Sequence, residues 1–363
     1  MTSFWKGRLC LITGVDGFLG SHLAKRLVAE GASVVGLSFR RKTLCSLELL
    51  GVEESIEHIT GVDGAEYRQV QQVFEHYDVD TCFHLAATST LPQAAQSPFR
   101  TFETNVKGTW NILEVARQCG SIRAVVVASS DKAYGDHDGD LPYRAGSALR
   151  GIHVYDASKA CVEFVSHTYF FQYRVPIWVT RCSNIYGPGD LNLSRLIPGN
   201  VMRALMGLPA LIHGGQQNTR REFLYIDDAV DAYLRLGEST RFSDSDWERI
   251  QSMPGHEAFG YCAFNIGGGP DNVKTVREVV DAIGAIVNGE LPPPTVSKRL
   301  WPPVLDISDQ RVDSSRILSE RGWSPTVRLI PDGLLHTVEW YRVHGKSLKS
   351  IADEVINGFK GNE

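Results

Sequence analysis

Residues 8–38 read RLCLITGVDGFLGSHLAKRLVAEGASVVGLS, and this stretch decides the fold. Its apolar start predicts a strand, which runs directly into Gly14, Gly17 and Gly20. Apolar residues then recur with helical spacing until Gly31 ends the helix, and SVVGLS predicts a second strand. Strand, glycine turn and helix in this order let backbone N–H groups at the helix N-terminus approach a pyrophosphate. We therefore predict a dinucleotide cradle; the simpler alternative is a glycine-rich turn that binds nothing.

Alternating strand and helix patterns continue outward from this cradle. They comprise the segments IEHIT, YRQVQQVFEHY, DTCFHLAA, FRTFETNVKGTWNILEVARQCG and RAVVVASS. Repeated β–α units form a parallel, doubly wound sheet whose ligands collect at the carboxyl ends of its strands. The predicted fold class is therefore α/β, with a Rossmann sheet and a smaller C-terminal lobe. We predict an NAD(P)-binding domain over residues 1–190 and a substrate-binding lobe over residues 191–363, some segments of which return to the first domain.

The composition agrees with two lobes, because 363 residues exceed the roughly 250–300 at which a single core stops growing. The formal net charge of −5 gives no broad cationic surface for nucleic acid or anionic lipid. Seven cysteines without a CxxC pair indicate reduced thiols. The start MTSFWKGRLC lacks the apolar segment of a secretory signal, and no later stretch is apolar for long enough to span a membrane. We expect a soluble, cytoplasmic protein.

Two short motifs carry groups that can move protons. GIHVYDASKA places Tyr155 and Lys159 four residues apart, on one face of a predicted helix. An ammonium close to a phenol favours the phenolate, which can act as a base. Ser130 follows the strand RAVVVA and can hydrogen-bond the hydroxyl that Tyr155 deprotonates. A simple dehydrogenase needs only these three groups, so the adjacent Asp131 and Lys132 indicate a reaction with additional proton transfers.

These motifs resemble those of a known superfamily. The GxxGxxG spacing resembles the extended short-chain dehydrogenase/reductases, and SSDKAYG, YDASKA, RCSNIYGPGD and RREFLYIDDAV resemble the nucleotide-sugar 4,6-dehydratases among them. Members that act on dTDP-glucose carry Ser/Thr-Asp-Glu where this chain has Ser130, Asp131 and Lys132. The Asp-Lys pair is similar to that of the CDP-glucose 4,6-dehydratases. The resemblance covers nearly the whole chain.

The resemblance implies a closed redox cycle on a nucleoside-diphosphate hexose. Tyr155 removes the proton of the C4 hydroxyl while hydride passes from C4 to the nicotinamide. Lys132 then acts as the base at C5 and Asp131 as the acid at the C6 hydroxyl, so that water leaves and the hydride returns at C6. A lysine base must be neutral, although its reference pKa is about 10.4, and burial beside Lys159 favours that form. Alternatively, Lys132 only pairs with Asp131 or a substrate phosphate.

The resemblance also implies a tightly bound NAD⁺ or NADP⁺. Its expected contacts are Gly14, Gly17, Phe18, Leu19, Gly20, Ser38, Arg40, Arg41, Asp63, Leu85, Ala86, Ala87, Tyr155 and Lys159. Ser38 stands where NAD-preferring proteins place a ribose-binding acid, and Arg40 and Arg41 would tolerate a 2′-phosphate, so the choice between NAD and NADP stays open. Asp63 either binds the adenine amino group or caps the following helix. His84 is expected to be a packed strand histidine.

The substrate is expected to contact a second set of residues, for which the resemblance gives Thr88, Ser130, Asn184, Arg195, Arg221 and Arg311. No metal site is predicted. Two amphipathic helices, at about residues 99–118 and 155–173, resemble the pair through which family members form a homodimer with a four-helix bundle. Residues 239–261 show no apolar period and are predicted to be a loop. An NDP-sugar 4-epimerase and a non-catalytic sugar-nucleotide binder are the alternative functions.

Overall fold

The computed structural model describes residues 3–40, 42–136, 141–213, 216–238, 242–289, 295–297 and 307–360. The chain divides into two compact units. The first unit consists of Met1–Cys182, Ala229–Ile266 and Val312–Ser324. The second unit consists of Ser183–Asp228, Gly267–Arg311 and Pro325–Glu363. The assignment of cofactor binding to residues 1–190 and of substrate binding to residues 191–363 stays a prediction.

The strands are numbered in chain order. They are β1 (Leu9–Thr13), β2 (Ser33–Ser38), β3 (Glu57–Thr60), β4 (Thr81–His84), β5 (Ala124–Ala128), β6 (Ile177–Cys182), β7 (Asn184–Tyr186), β8 (Leu211–His213), β9 (Arg220–Tyr225), β10 (Ala263–Ile266), β11 (Val273–Thr275), β12 (Thr295–Ser297) and β13 (Asp309–Gln310). The strand SVVGLS and the strands predicted from IEHIT, DTCFH and AVVVA lie where the sequence pattern puts them.

The helices are numbered in the same way. They are α1 (Phe18–Ala29), α2 (Ser46–Leu49), α3 (Tyr67–His76), α4 (Leu91–Gln96), α5 (Pro98–Phe102), α6 (Gly108–Gln118), α7 (Val154–Tyr173), α8 (Leu196–Leu205), α9 (Ile226–Gly237), α10 (Asp244–Gln251), α11 (Gly255–Ala258), α12 (Val276–Asn288), α13 (Ser315–Arg321) and α14 (Leu334–Lys360). A π-helical turn, Glu103–Lys107, joins α5 to α6, and a 3₁₀ turn, Asp131–Tyr134, follows β5. In the part of the chain described, no helix is long and apolar enough to cross a membrane.

The first unit is built on a parallel sheet of seven strands in the order β10-β6-β5-β4-β1-β2-β3. Each neighbouring pair is parallel, and β1 lies between β2 and β4. Strand order therefore reverses between β1 and β4, which is where ligands bind in doubly wound sheets, outside the carboxyl ends of the strands. The predicted α/β Rossmann class is confirmed. It places the glycine turn after β1 and the motif that follows β5 at the same edge of the sheet.

The prediction of a loop over residues 239–261 is wrong for Asp244–Gln251 and Gly255–Ala258, which form α10 and α11, and residues 239–241 lie outside the described residues. Ser243 begins α10 with a capping box: its hydroxyl accepts the N–H of Asp246, whose carboxylate in turn accepts the N–H of Ser243. Trp247 and Ile250 are buried, three residues apart on one face. Two apolar residues in eight are too few for a visible helical period, so the cap was the only sequence signal.

The second unit contains a small sheet in which β9 pairs with β11, β13 and β7. Its register sets Gln310 of β13 opposite Arg221 of β9, and Asn184 of β7 opposite Phe223. Helices α8 and α12 pack over a small apolar cluster that includes Ile212 and Val280. The break in the β–α rhythm after β6 therefore marks a change of architecture.

Candidate active site

The glycine turn after β1 is shaped by close backbone packing. Gly14 has φ +71°, and a Cβ there would lie 3.0 Å from the backbone of Ala86. The hydroxyl of Thr13 accepts the N–H groups of Leu85 and Ala86, both at 3.1 Å, which holds the turn after β4 against the glycine turn. Gly17 begins α1 without a side-chain cap. The N-terminal N–H groups of α1 are thus left for an anion, and this geometry fits a dinucleotide pyrophosphate.

Replacement of Gly20 by alanine is expected to destabilise this turn. A Cβ on Gly20 would lie 2.4 Å from the carbonyl oxygen of Gly14, so the backbone of the turn must shift. We expect a loss of about 1–3 kcal/mol in the free energy of unfolding, together with weaker cofactor binding. Thermal unfolding and cofactor titration measure the two effects. Gly120→Ala is the matched control, because the added Cβ would meet no described atom within 4 Å. Equal behaviour of the two variants would contradict the prediction.

The serine, acid and lysine of the sequence motif lie together after β5. Ser130 caps the 3₁₀ turn: its Oγ accepts the N–H of Lys132 at 3.2 Å and donates to Oδ1 of Asp131 at 3.2 Å. The Nζ of Lys132 lies 3.9 Å from the same carboxylate oxygen. Asp131 is only 2% exposed, whereas Lys132 is partly exposed. The turn thus places a hydroxyl, a carboxylate and an amine beside one another at the carboxyl edge of the sheet.

Helix α7 is joined to this turn through Lys159. Its Nζ donates to the carbonyl of Ala128, the last residue of β5, at 2.6 Å and lies 6.0 Å from the centre of the Tyr155 ring. Burial lowers the pKa of Lys159 to about 8, while Glu163 and Cys182 act in the opposite direction. The sequence-predicted residues of the two motifs are therefore brought together, and burial moves the pKa of Lys159 toward neutral pH.

Asn105 is a residue of this region that the sequence reasoning missed. It lies in the π-helical turn between α5 and α6 and is buried. Its side chain accepts the N–H of Thr88 at 2.8 Å and donates to the hydroxyl of Ser158 on α7 at 2.9 Å. It therefore connects the turn after β4, which carries a predicted substrate contact, to the helix that carries Tyr155. Helical periodicity gave no signal, because a π turn rotates side chains away from the regular spacing.

Several predicted cofactor contacts have protein partners of their own. The Ser38 hydroxyl lies 2.9 Å from Nε2 of His58, and the Arg40 guanidinium lies 5.8 Å from the Phe39 ring centre. Arg41 lies outside the described residues. Phe18 and Leu19 open α1 after the glycine turn, and Leu85, Ala86 and Ala87 follow β4. Tyr155 and Lys159 lie on α7.

Asp63 accepts a hydrogen bond from Arg100 at 2.7 Å and another from the N–H of Ala65. The N-cap of α3 is Glu66, so Asp63 does not cap that helix. His84 is a packed strand histidine: its ring nitrogens contact Thr13 and Thr109, and burial beside Lys159 lowers its pKa to about 3.

Of the predicted substrate contacts of the second unit, Asn184 lies on β7, Arg221 on β9 and Arg311 directly after β13, whereas Arg195 is the N-cap of α8. Asn184 donates to the carbonyl of Glu222, and Arg195 pairs with Asp190 at 2.9 Å. In the same unit, Arg221 donates to the carbonyl of Ile307 at 2.6 Å. Their roles toward a substrate stay predictions.

Arg311 pairs with Asp309 at 3.1 Å. Within the described residues, its Nε is buried without a hydrogen-bond partner. The Arg311 guanidinium therefore retains a donor.

Comparisons with known proteins agree with this geometry. The family model described as the NAD dependent epimerase/dehydratase family matches residues 10–247. A CDP-glucose 4,6-dehydratase from Salmonella typhimurium is 26% identical, over 98% of this chain and 97% of that protein. A dTDP-glucose 4,6-dehydratase from Streptomyces venezuelae, solved with NAD and TYD bound, has a TM-score of 0.76 and 25% identity, and the match covers 93% of this chain and 98% of that chain. A UDP-glucose 4-epimerase from Thermus thermophilus, solved with NAD, has a TM-score of 0.76 and 25% identity, over 92% and 99% of the two chains.

Proposed function

Since the chain belongs to the NAD dependent epimerase/dehydratase family, we propose that it is a nucleotide-sugar 4,6-dehydratase. It would convert an NDP-hexose, CDP-glucose or a close analogue, to the NDP-4-keto-6-deoxyhexose and water. The observation that carries the proposal is the turn after β5, where Asp131 and Lys132 lie beside Ser130 and next to the helix of Tyr155. C4 redox chemistry alone does not need this second acid–base pair. The relative that acts on CDP-glucose supports the same reaction class.

The residues around the glycine turn fit NAD⁺ or NADP⁺. Gly14, Gly17 and Gly20 let the backbone approach a pyrophosphate at the N-terminus of α1, and the turn after β4 lies against them. When bound, NAD⁺ or NADP⁺ would supply reversible hydride acceptance, so that oxidation at C4 and reduction at C6 would leave no net oxidation. Solved neighbours hold NAD, which supports a nicotinamide cofactor here.

The first proton transfer involves three residues. Tyr155 takes the proton of the C4 hydroxyl, and Ser130 hydrogen-bonds the same oxygen. Lys159 favours the phenolate through its positive charge, which requires its ammonium form. Because the folded-state pKa of Lys159 is about 8, this support is present below that pH and is lost as the pH rises through it.

The elimination step uses the pair after β5. The ketone at C4 makes the C5 proton acidic; Lys132 removes it while Asp131 protonates the C6 hydroxyl, which leaves as water. As a base, Lys132 must enter this step as the neutral amine. In the competing role, Lys132 only pairs with Asp131 or with a substrate phosphate. The protein would then have no base at C5, and its reaction would be limited to C4.

The second unit supplies cations for the nucleotide and diphosphate. Arg221 lies on β9 opposite Gln310, and Arg311 directly follows Gln310. Arg195 precedes α8. Guanidinium groups bind phosphate oxygens with two parallel hydrogen bonds. Asn184 would complete this set within the second unit.

A 4-epimerase is the second candidate, supported by the similarity to the Thermus thermophilus enzyme. It would use Ser130, Tyr155 and Lys159 in the same way but would not require Asp131 and Lys132. A non-catalytic sugar-nucleotide binder is the third candidate.

The deciding experiment incubates the purified protein with NDP-glucoses and NDP-mannoses and measures 4-keto-6-deoxy product by its absorbance in alkali. A C4 epimer without this product would favour the epimerase, and no turnover of any sugar would favour the binder.

We also propose a homodimer that forms through helices α5–α6 and α7. Aromatic side chains are exposed on these helices, among them Phe99 at 77%, Trp110 at 43% and Phe164 at 54%. Phe99→Glu combined with Trp110→Glu is expected to give monomers, because two charges would have to be buried in the interface. Sedimentation velocity measures the mass; Leu318→Glu on α13, also exposed, is the control. Wild-type monomers would contradict the proposal.

We also propose a cytoplasmic location. All seven cysteines are free thiols, which supports it.

A further inference from the structure

A fully buried ion pair lies beside the candidate active site. Glu163 of α7 and Arg181 of β6 both have side chains with no exposed surface. Nη2 of Arg181 lies 2.5 Å from Oε2 of Glu163, and Nε lies within 3.0 Å of both carboxylate oxygens. Removing two charges from water is costly, and well-packed apolar residues of similar volume are often as stable. The presence of this ion pair is therefore weak evidence that its two residues serve only to stabilise the fold.

The remaining hydrogen bonds of the pair reach the segments that carry the predicted catalytic residues. The Glu163 carboxylate accepts the hydroxyl of Ser129, the residue before Ser130, at 2.5 Å. Nη1 of Arg181 donates to the Tyr134 hydroxyl at 2.6 Å and to the carbonyl of Ala145 at 2.7 Å. One carboxylate and one guanidinium thus hold the strand end before the 3₁₀ turn and the loop before α7.

Tyr134 is the last residue of the 3₁₀ turn that contains Asp131 and Lys132. Besides Arg181, its hydroxyl lies 2.7 Å from Oδ1 of Asn265 and 2.9 Å from the carbonyl of Arg144. Burial raises the pKa of Tyr134 to about 12, so the phenol stays protonated as a hydrogen-bonding group. The 3₁₀ turn is therefore fixed at both ends by the ion pair, through Ser129 at its start and Tyr134 at its end.

Glu163 also lies one helical turn after Lys159, on the same face of α7. Its negative charge opposes the effect of burial and raises the pKa of Lys159. The titratable and charged groups that face Lys159 and Glu163 are His84 from β4, Tyr134 from the 3₁₀ turn, Arg181 and Cys182 from β6, Cys262 before β10, and Tyr155 and His167 from α7 itself. His84 stays neutral, and of the two groups that raise the pKa of Lys159, Glu163 has the larger effect and Cys182 the smaller.

We propose that the Glu163–Arg181 pair is a positioning device, which fixes the Ser130–Lys132 turn against helix α7 and keeps Lys159 in its ammonium form. The catalytic part of this inference rests on the proposed dehydratase function, whereas the effect on Lys159 does not. We assign the pair no contact with the substrate. It acts through Ser129, Tyr134 and Lys159.

The first test replaces Glu163 by glutamine, which keeps the shape of the side chain and removes its charge. NMR of an isotopically labelled lysine ε-carbon follows the Lys159 titration without substrate, and the Lys159→Met variant assigns its signal. The Lys159 midpoint is expected to fall by about one pH unit. The alkaline limb of the kcat profile should move to lower pH with it, and kcat should fall by about 10²-fold with little change in KM. Asp80→Asn removes a different ion pair of the first unit, with Arg8 at 2.8 Å, and should change neither quantity.

A second variant separates positioning from stability, since an unpaired buried Arg181 could prevent folding of Glu163→Gln. The double change Glu163→Leu and Arg181→Met restores an uncharged interior. We expect it to fold, with kcat and the Lys159 midpoint as low as in Glu163→Gln. Wild-type values of both quantities in the double variant would overturn the proposal. The two parts of the proposal can also fail separately. If Glu163→Gln shifts the Lys159 midpoint but the wild-type protein forms no 4-keto product, the dehydratase function is rejected and the control of Lys159 by Glu163 is retained.

Discussion

The protein carrying both Asp131→Asn and Lys132→Met is expected to oxidise its substrate at C4 and then stop. Ser130, Tyr155 and Lys159 remain in place, so hydride transfer from C4 should proceed. The elimination should stop, because the C5 proton has lost its base and the C6 hydroxyl has lost its acid. Each such group contributes typically 10²–10⁴-fold, and the two losses need not add. Stopped-flow absorbance of the reduced nicotinamide should show a single turnover of reduction, with no 4-keto-6-deoxy product.

The single variant Lys132→Arg is the matched control for the role of the lysine. Arginine keeps the positive charge that could pair with Asp131 or a phosphate, but it cannot act as a base at neutral pH. We expect Lys132→Arg to fail in water loss as Lys132→Met does. Activity of the arginine variant would make the lysine a charge partner. Failure of the double variant to reduce the cofactor at all would place both side chains in the first step.

Tyr155→Phe is expected to block the sequence one step earlier. Without the phenol, the C4 hydroxyl has no positioned base, and kcat should fall by about 10³–10⁴-fold while the protein still binds the cofactor and the substrate. Single-turnover reduction of the cofactor and direct binding of the nucleotide sugar measure these two properties separately.

Tyr169→Phe on the same helix provides a control for general effects of removing a phenol. Its hydroxyl contacts Glu114 at 3.1 Å, and it belongs to no part of the predicted site. It should retain turnover close to the wild type. A small effect of Tyr155→Phe, similar to that of Tyr169→Phe, would remove Tyr155 from the proposed mechanism.

Much of the architecture could be predicted because it depends on local patterns. The order of strand, glycine turn and helix in residues 8–38 fixed the dinucleotide cradle, and the four-residue spacing of Tyr155 and Lys159 placed both on one helix face. The place of residues Ser130–Lys132 in the candidate site followed from the rule that ligands collect at the carboxyl ends of parallel strands.

The features that were missed depend on contacts between segments far apart in the chain. Asn105 reaches Thr88 and Ser158 from a π turn that apolar spacing cannot reveal. Glu163 lies four residues after Lys159 on the same face, which was a visible signal, but its partner Arg181 lies in a strand of another part of the sequence. The charged Arg181 within the buried strand IWVTRC indicated that an anionic partner was needed, but the sequence did not show that this partner is Glu163.

The first unit is assembled from three separate stretches of the chain, and this has a consequence for biosynthesis. Strand β10, which completes the sheet beside β6, is translated only after Ser183–Asp228, a stretch that belongs to the other unit. Domains usually fold as they emerge from the ribosome, N-terminal parts first. Here the nascent chain must hold an open sheet edge at β6 while that stretch is made. That interval is when the chain is most exposed to aggregation, and when chaperone binding would help it most.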